Sequence, residues 1–182
     1  MTTADLLRLR LQKQYLEPTR QRNIREVVSH FGAMQSQDYH GGKWAIAQRT
    51  SGITSTQIDD TFAKGTILRT HVMRPTWHFV AAEDVNWMLA LTGPRVNTLS
   101  AHYYRQLELD DAAFAKANTV LIQTLQGKAY KTRTELGKAL TDAGFDVHVP
   151  VRLIYILVHA ELDGLICSGP LREKTAYLRA SQ

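Results

Sequence analysis

Residues 34–38 read Met-Gln-Ser-Gln-Asp, with Gly41, Gly42, Lys43 and Trp44 shortly after. Glutamine does not titrate in water, so neither Gln35 nor Gln37 is a general base. Its amide donates and accepts hydrogen bonds at once and can orient a water molecule. Two such amides beside the Asp38 carboxylate can hold a water and stabilise developing positive charge. That chemistry suits a reaction whose leaving group is already activated, such as hydrolysis of the N-glycosidic bond of a cationic, N7-alkylated purine. The base departs readily, the sugar becomes oxocarbenium-like and water adds, so positioning and electrostatics carry most of the catalysis. The plainer reading of the same amides is a helix C-terminal cap.

Geometry decides whether the pair can act together. Within a regular helix, residues two apart point roughly 200° apart. On an extended or turning chain they point the same way. Ile24, Val27, Val28, Phe31 and Met34 recur at helical spacing, which predicts a helix over 23–34. The glycines at 41 and 42 show the chain leaving that helix, so Gln35 and Gln37 are expected to converge on one point.

The second concentration of chemistry is the stretch 66–81, TILRTHVMRPTWHFVA, whose β-branched and aromatic residues flank Met73-Arg74-Pro75 and predict a β-hairpin. His71 and His78 fall on opposite arms and can approach each other. Adding His40 and Asp38 gives no diagnostic ligand spacing, so no metal is expected. His71 reads as a structural hydrogen-bonder, and His78 as a contact to phosphate or base near the glutamines. Arg69 and Arg74 either grip DNA or pair with Asp59, Asp60 or Glu83. Trp44 and Trp77 either stack on a base or pack in the core. Lys43 raises Schiff-base chemistry, but nothing around it in the sequence argues for a depressed pKa, and hydrolysis by water is preferred.

These residues need a frame. A helix is expected from Thr3 to the break at Pro18-Thr19, a short one over Trp44–Gln48, and one capped by Ser55 or Thr56 that ends at Gly65. Another runs through VNWMLALTG until Gly93-Pro94 resets it, and a basic aromatic helix, PRVNTLSAHYYRQL, follows. From Asp110 the order repeats: a helix to Gly127, a capping box Thr132…Glu135 opening a short helix, an apolar helix VRLIYILVHAELDGL, and a hairpin over 165–179 around Gly169-Pro170. Helix, helix, helix and hairpin, twice, is the outline of tandem winged helix-turn-helix modules, mainly α with small β-hairpins, divided at 1–106 and 107–182. In such a module the third helix enters the major groove and the wing touches the backbone or minor groove. The third helix of the second copy is too apolar to read bases well and is expected to be mainly core. The basic residues Lys128, Lys131, Arg133, Arg172, Lys174 and Arg179 suit phosphate contact or form a solvated face.

The chain has 182 residues, one cysteine (Cys167) and a formal net charge of +5, with a pI of about 9.4. A single cysteine excludes an intrachain disulfide and a cysteine metal cage and fits a reducing cytoplasm. No run is long and apolar enough for a bilayer, and residues 1–5 do not open a signal peptide. The charge weakly favours an anionic partner.

The segment from Ala33 to Val80 resembles the winged-helix family of AlkZ/YcaQ-like DNA glycosylases. The matching pieces are MQSQD, WAIAQRT, RTHVMRPTWHFV and AEDVNWML. The Arg-Thr-His-x-Met-Arg-x-Thr-x-His order is the most specific of these, and the likeness runs into the second winged helix. The resemblance implies excision of alkylated bases, including bulky or crosslinked N7-alkylguanine, with no metal or organic cofactor. It makes Gln35 and Gln37 the catalytic pair and gives roles to Thr76 and His78. Asp38 and His78 are expected to support the pair. Lys43, Arg69, Arg74, Lys131, Arg133, Arg172 and Lys174 are expected to hold DNA. The expected partner is double-stranded DNA carrying an alkylated lesion, with no membrane and no obligate protein partner, in the cytoplasm near the nucleoid. Two departures stand out. Ser36 occupies a position where an aliphatic residue is expected. The family pattern also continues into a third winged helix and a β-barrel-like region, so this chain is expected to be a fragment or to lack half of the DNA cradle. The competing readings are a non-catalytic transcription regulator and a protein-docking module.

Overall fold

The computed structural model describes residues 1–17, 22–128, 130–172 and 175–180; for 128, 170–172 and 175–177 it describes the backbone alone. Helix α1 (Thr3–Lys13) opens on a Thr2–Asp5 capping box and buries no residue of its own. An Asn23–Glu26 box starts α2 (Ile24–Phe31). The helix ends short of the expected Met34 because Gly32 takes φ +68°, a left-handed conformation that suits glycine. A Cβ at Gly32 would also lie 3.0 Å from the Met88 side chain. Ala33–Gln35 then become strand β1.

Asp38 caps α3 (Tyr39–Ala47), which starts five residues before the expected Trp44. Thr54, rather than Ser55 or Thr56, caps α4 (Ser55–Ala63), with Gln57 closing the box. Strands β2 (Ile67–His71) and β3 (Trp77–Ala81) form the expected hairpin. Strand β1 adds to the free side of β3 with Gln35 opposite His78.

Helix α5 (Val85–Gln106) runs unbroken through Pro94, where two helices were expected. An interior proline removes a hydrogen bond and costs about 3 kcal/mol. Burial on both sides of it offsets that cost: Val85, Met88 and Leu89 pack before Pro94, and Val96, Ser100 and Tyr104 after it. Gly93 is needed for close approach, since a Cβ there would lie 3.3 Å from the Leu162 carbonyl oxygen.

The second module repeats the first. Helix α6 (Asp111–Thr124), strand β4 (Lys131–Thr132), α7 (Arg133–Asp142), α8 (Pro150–Leu162), β5 (Ile166–Arg172) and β6 (Thr175–Ala180) follow in order. The Thr132–Glu135 box caps α7 as expected. Strand β4 pairs with β6 as β1 pairs with β3. Gly169-Pro170 is not the hairpin turn. It lies within β5 at an irregularity between Ser168 and Leu171, and the strand continues until Arg172 faces Thr175. A bulge is where a strand tolerates proline's missing donor.

The architecture is therefore α+β, with tandem winged-helix modules. The two hairpins do not stand apart: β2 meets β5 at Arg69 and Ser168. One antiparallel sheet results, in the order β1-β3-β2-β5-β6-β4. Helix α4 packs against β5, and α8 against β2, so the third helix of each module rests on the hairpin of the other. One core lies in each module, around Val27, Ile46 and Phe79 in the first and Leu121, Leu136 and Ile156 in the second. A third joins Val72 and Val80 to α5 and α8. Among the described residues no helix is long and apolar enough to cross a membrane.

Candidate active site

Gln35 ends β1, and Ser36, Gln37 and Asp38 lead through a bend into α3, so the amides do not cap a helix C-terminus. The Ser36 N–H donates to the Trp77 carbonyl at 2.8 Å. The return bond of an antiparallel ladder would run from the Trp77 N–H to the Ser36 carbonyl. Here that N–H donates to Gln37 Oε1 at 3.2 Å. The Ser36 carbonyl is turned instead to Arg69, accepting from Nη2 at 2.9 Å and Nε at 3.2 Å. A Gln37 side chain thus stands in for a backbone acceptor. Its oxygen must face Trp77, which leaves its NH2 group outward.

Gln37 lines a cleft of about 610 Å³ between the modules, within the ~300–1,000 Å³ range usual for ligand sites. The first module contributes Arg69, His71, Pro75 and Trp77 beside it, and α8 supplies an apolar wall of Val151, Ile154 and Tyr155. Gln35 does not line the cleft. It is exposed on β1, in one row with His78 and Thr70 across the ribbon.

Arg69 is buried and has a lowered pKa, chiefly from burial, with the nearby Glu161 carboxylate opposing. Its guanidinium lies 4.3 Å from the Trp77 ring centroid, and Nη1 donates to Ser168 Oγ at 3.4 Å. Glu161, from α8, is 1% exposed. Its Oε2 accepts from His71 Nδ1 at 2.5 Å, from the His71 backbone N–H at 3.0 Å and from Thr70 Oγ1 at 3.4 Å.

His71 pairs with Trp77 and Thr70 with His78, so successive registers put the two histidines on opposite faces of the hairpin. His78 is buried with Nδ1 on the Thr76 carbonyl at 2.8 Å, and desolvation holds its pKa below the ordinary histidine range. Asp38 is exposed, and its carboxylate accepts from the His40 N–H at 3.1 Å as the α3 cap. Lys43 is buried, with Nζ 2.6 Å from Asp59. The Tyr39 hydroxyl also donates to Asp59, at 2.8 Å, and burial with that bond raises the tyrosine pKa. Arg74 is exposed at the hairpin tip, where Met73 takes φ +63°. Arg133 lines the cleft and donates to the Pro150 carbonyl at 3.2 Å, while Lys131 lies 3.9 Å from Glu135. The Arg172 side chain and all of Lys174 lie outside the described residues. Trp44 is exposed and away from the cleft. Among the described residues no three His, Cys, Asp or Glu side chains gather to hold a metal ion.

The family pattern described as "DNA glycosylase AlkZ-like" matches residues 28–181. The chain belongs to the AlkZ-like family. Among solved structures it is similar to the Streptomyces sahachiroi DNA glycosylase AlkZ, with a TM-score of 0.81 and 22% identity. That match covers 94% of this chain and 47% of the other, so the chain spans about half the length of that relative. No curated protein matches the chain by sequence.

For an AlkZ-like chain, the residue that sequence reasoning passed over is Glu161. A signal existed: Leu153, Leu157 and Glu161 recur every four residues on the buried face of α8, and a carboxylate in such a stripe needs a partner. Tyr155 also lines the cleft.

Proposed function

We propose that this chain hydrolyses the N-glycosidic bond of N7-alkylated purines in duplex DNA, bulky or crosslinked adducts included. Membership of the AlkZ-like family supports the reaction class. The observation that carries it to particular residues is Gln37, held by the Trp77 N–H with its NH2 group unbonded among the described residues, in a cleft walled by Trp77 and the apolar face of α8. Gln37 donates to the oxygen of the attacking water and leaves a lone pair for the anomeric carbon. Gln35, exposed on β1 outside the cleft, contacts the substrate and not this water. As water adds, the bond to the base breaks, and its electron pair neutralises the N7 cation. Asp38 serves by capping α3 and fixing the chain beside Gln37, and His78 backs Gln35 across the ribbon. Arg74 and Arg133, the exposed cations beside the cleft, take phosphates, as do the basic residues of the second hairpin. The substrate places the protein at the nucleoid, in the cytoplasm, and the reaction needs no cofactor.

The test is a duplex with one N7-methylguanine, incubated with the protein and treated with alkali. Strand scission at that base, absent without protein, is expected. Tight binding without scission on this and on a bulky N7-alkylguanine duplex would remove the hydrolase reading and favour a DNA-binding regulator.

A further inference from the structure

The Gln37 amide orients a water but removes none of its protons. From the cleft geometry we infer that His71, held by Glu161, is the general base that takes the proton as water adds; this rests on the glycosylase reading above. His71 is the cross-strand partner of Trp77, and Trp77 carries the N–H that binds Gln37. His71 and Gln37 therefore sit on either side of one residue and line the same cleft. The His71 ring packs 4.2 Å from the Trp77 ring.

Glu161 Oε2 already accepts from the His71 backbone N–H and the Thr70 hydroxyl, so in the 2.5 Å contact with it Nδ1 is assigned as the donor. The other nitrogen, Nε2, is then the acceptor, and it has no hydrogen-bond partner among the described residues. Glu161 accepts three bonds from Thr70 and His71, which lock the ring's orientation. The arrangement is a base oriented by a buried carboxylate. In the step, the water oxygen bonds to the anomeric carbon and the carbon–nitrogen bond to the base breaks. The proton passes to Nε2, and the imidazolium is stabilised by Glu161. His71 is thus a catalytic residue and Glu161 a positioning residue.

His71→Asn is the most informative variant, because the asparagine amide can still donate to Glu161 while the acceptor is lost. Single-turnover excision of N7-methylguanine should fall about 10²- to 10⁴-fold, with duplex affinity within about twofold of wild type. In folded His71→Gly, free imidazole should restore part of the rate, and adding Glu161→Gln should abolish that rescue, which loss of structure alone would not do. Thermal melts check folding of each variant. One measurement avoids variants: carbethoxylation of His71 in the wild type by diethyl pyrocarbonate, mapped by mass spectrometry, should stop excision. Wild-type rates in folded His71→Asn, or full activity of protein modified at His71, would overturn the base assignment while leaving the glycosylase reading intact. No excision of either N7-alkylguanine duplex by the wild type would remove both.

Discussion

The two winged-helix modules share an order of elements but differ at one joint. In the second, β4 ends at Thr132, and that residue is itself the cap of α7. In the first, β1 ends at Gln35, and Ser36, Gln37 and Asp38 intervene before α3 begins at Tyr39. The extra residues break the ladder, free the Ser36 carbonyl for Arg69 and put Gln37 at the cleft. The second module answers with an apolar helix face and a buried carboxylate. The same scaffold thus supplies polar chemistry from one copy and a wall from the other, which is how a repeated fold acquires a single site.

The comparison breaks most severely in the cores. Phe79→Ala in the first module should cost about 3–5 kcal/mol and Leu136→Ala in the second about 2–5 kcal/mol. Because the sheet is continuous and each third helix rests on the other module, each variant should still melt in one transition by calorimetry. Two transitions would mean that the modules fold separately.

Next come the glycines that let each module's second helix pack closely. A Cβ at Gly42 would meet the Phe79 ring and the Ser36 Cβ at 3.0 Å and the Ser36 Cα at 3.1 Å, whereas at Gly137 it meets only a Leu153 methyl at 3.1 Å. Gly42→Ala should therefore cost about 1–3 kcal/mol and Gly137→Ala clearly less, since a leucine tip yields and a backbone does not. Chemical denaturation of the pair checks this.

The caps give a smaller and more specific contrast. Asp38→Ala and Thr132→Ala should each cost about 1 kcal/mol. Excision should fall about tenfold or more for Asp38→Ala, which loosens the chain beside Gln37, and stay unchanged for Thr132→Ala. Equal effects on excision would erase the functional difference between the joints.

The smallest effect is in pH dependence. Burial lowers the His78 pKa, so the folded state prefers the neutral ring. The stability it contributes is complete above the ordinary histidine range and is lost as pH falls through the unfolded value towards the folded one. His78→Gln should flatten that acid-side decline in melting temperature.

Much of this was legible in the sequence because it is local. Helical spacing, the Thr132–Glu135 box and the β-branched arms around Met73-Arg74-Pro75 set elements within a few residues of themselves. The failures were of two kinds. Gly32 ends α2 and Pro94 fails to end α5 because each answers to packing, against Met88 and on both flanks of α5, that a window of sequence does not contain. The meeting of β2 with β5, and of Glu161 with His71, joins residues far apart in the chain, and no period or spacing reports such pairs. The two glutamines fall between these cases. Their departure from helix was readable, but the exchange of a backbone acceptor for the Gln37 side chain was not.

The central claim is that catalysis resides in the joint between β1 and α3. It is tested most directly by comparing wild type with Gln35→Ala/Gln37→Ala, measuring both excision from an N7-methylguanine duplex and duplex affinity. The account predicts that excision is lost, by about 10²-fold or more, while affinity and melting temperature stay near wild type. Excision at the wild-type rate in the double variant would contradict it.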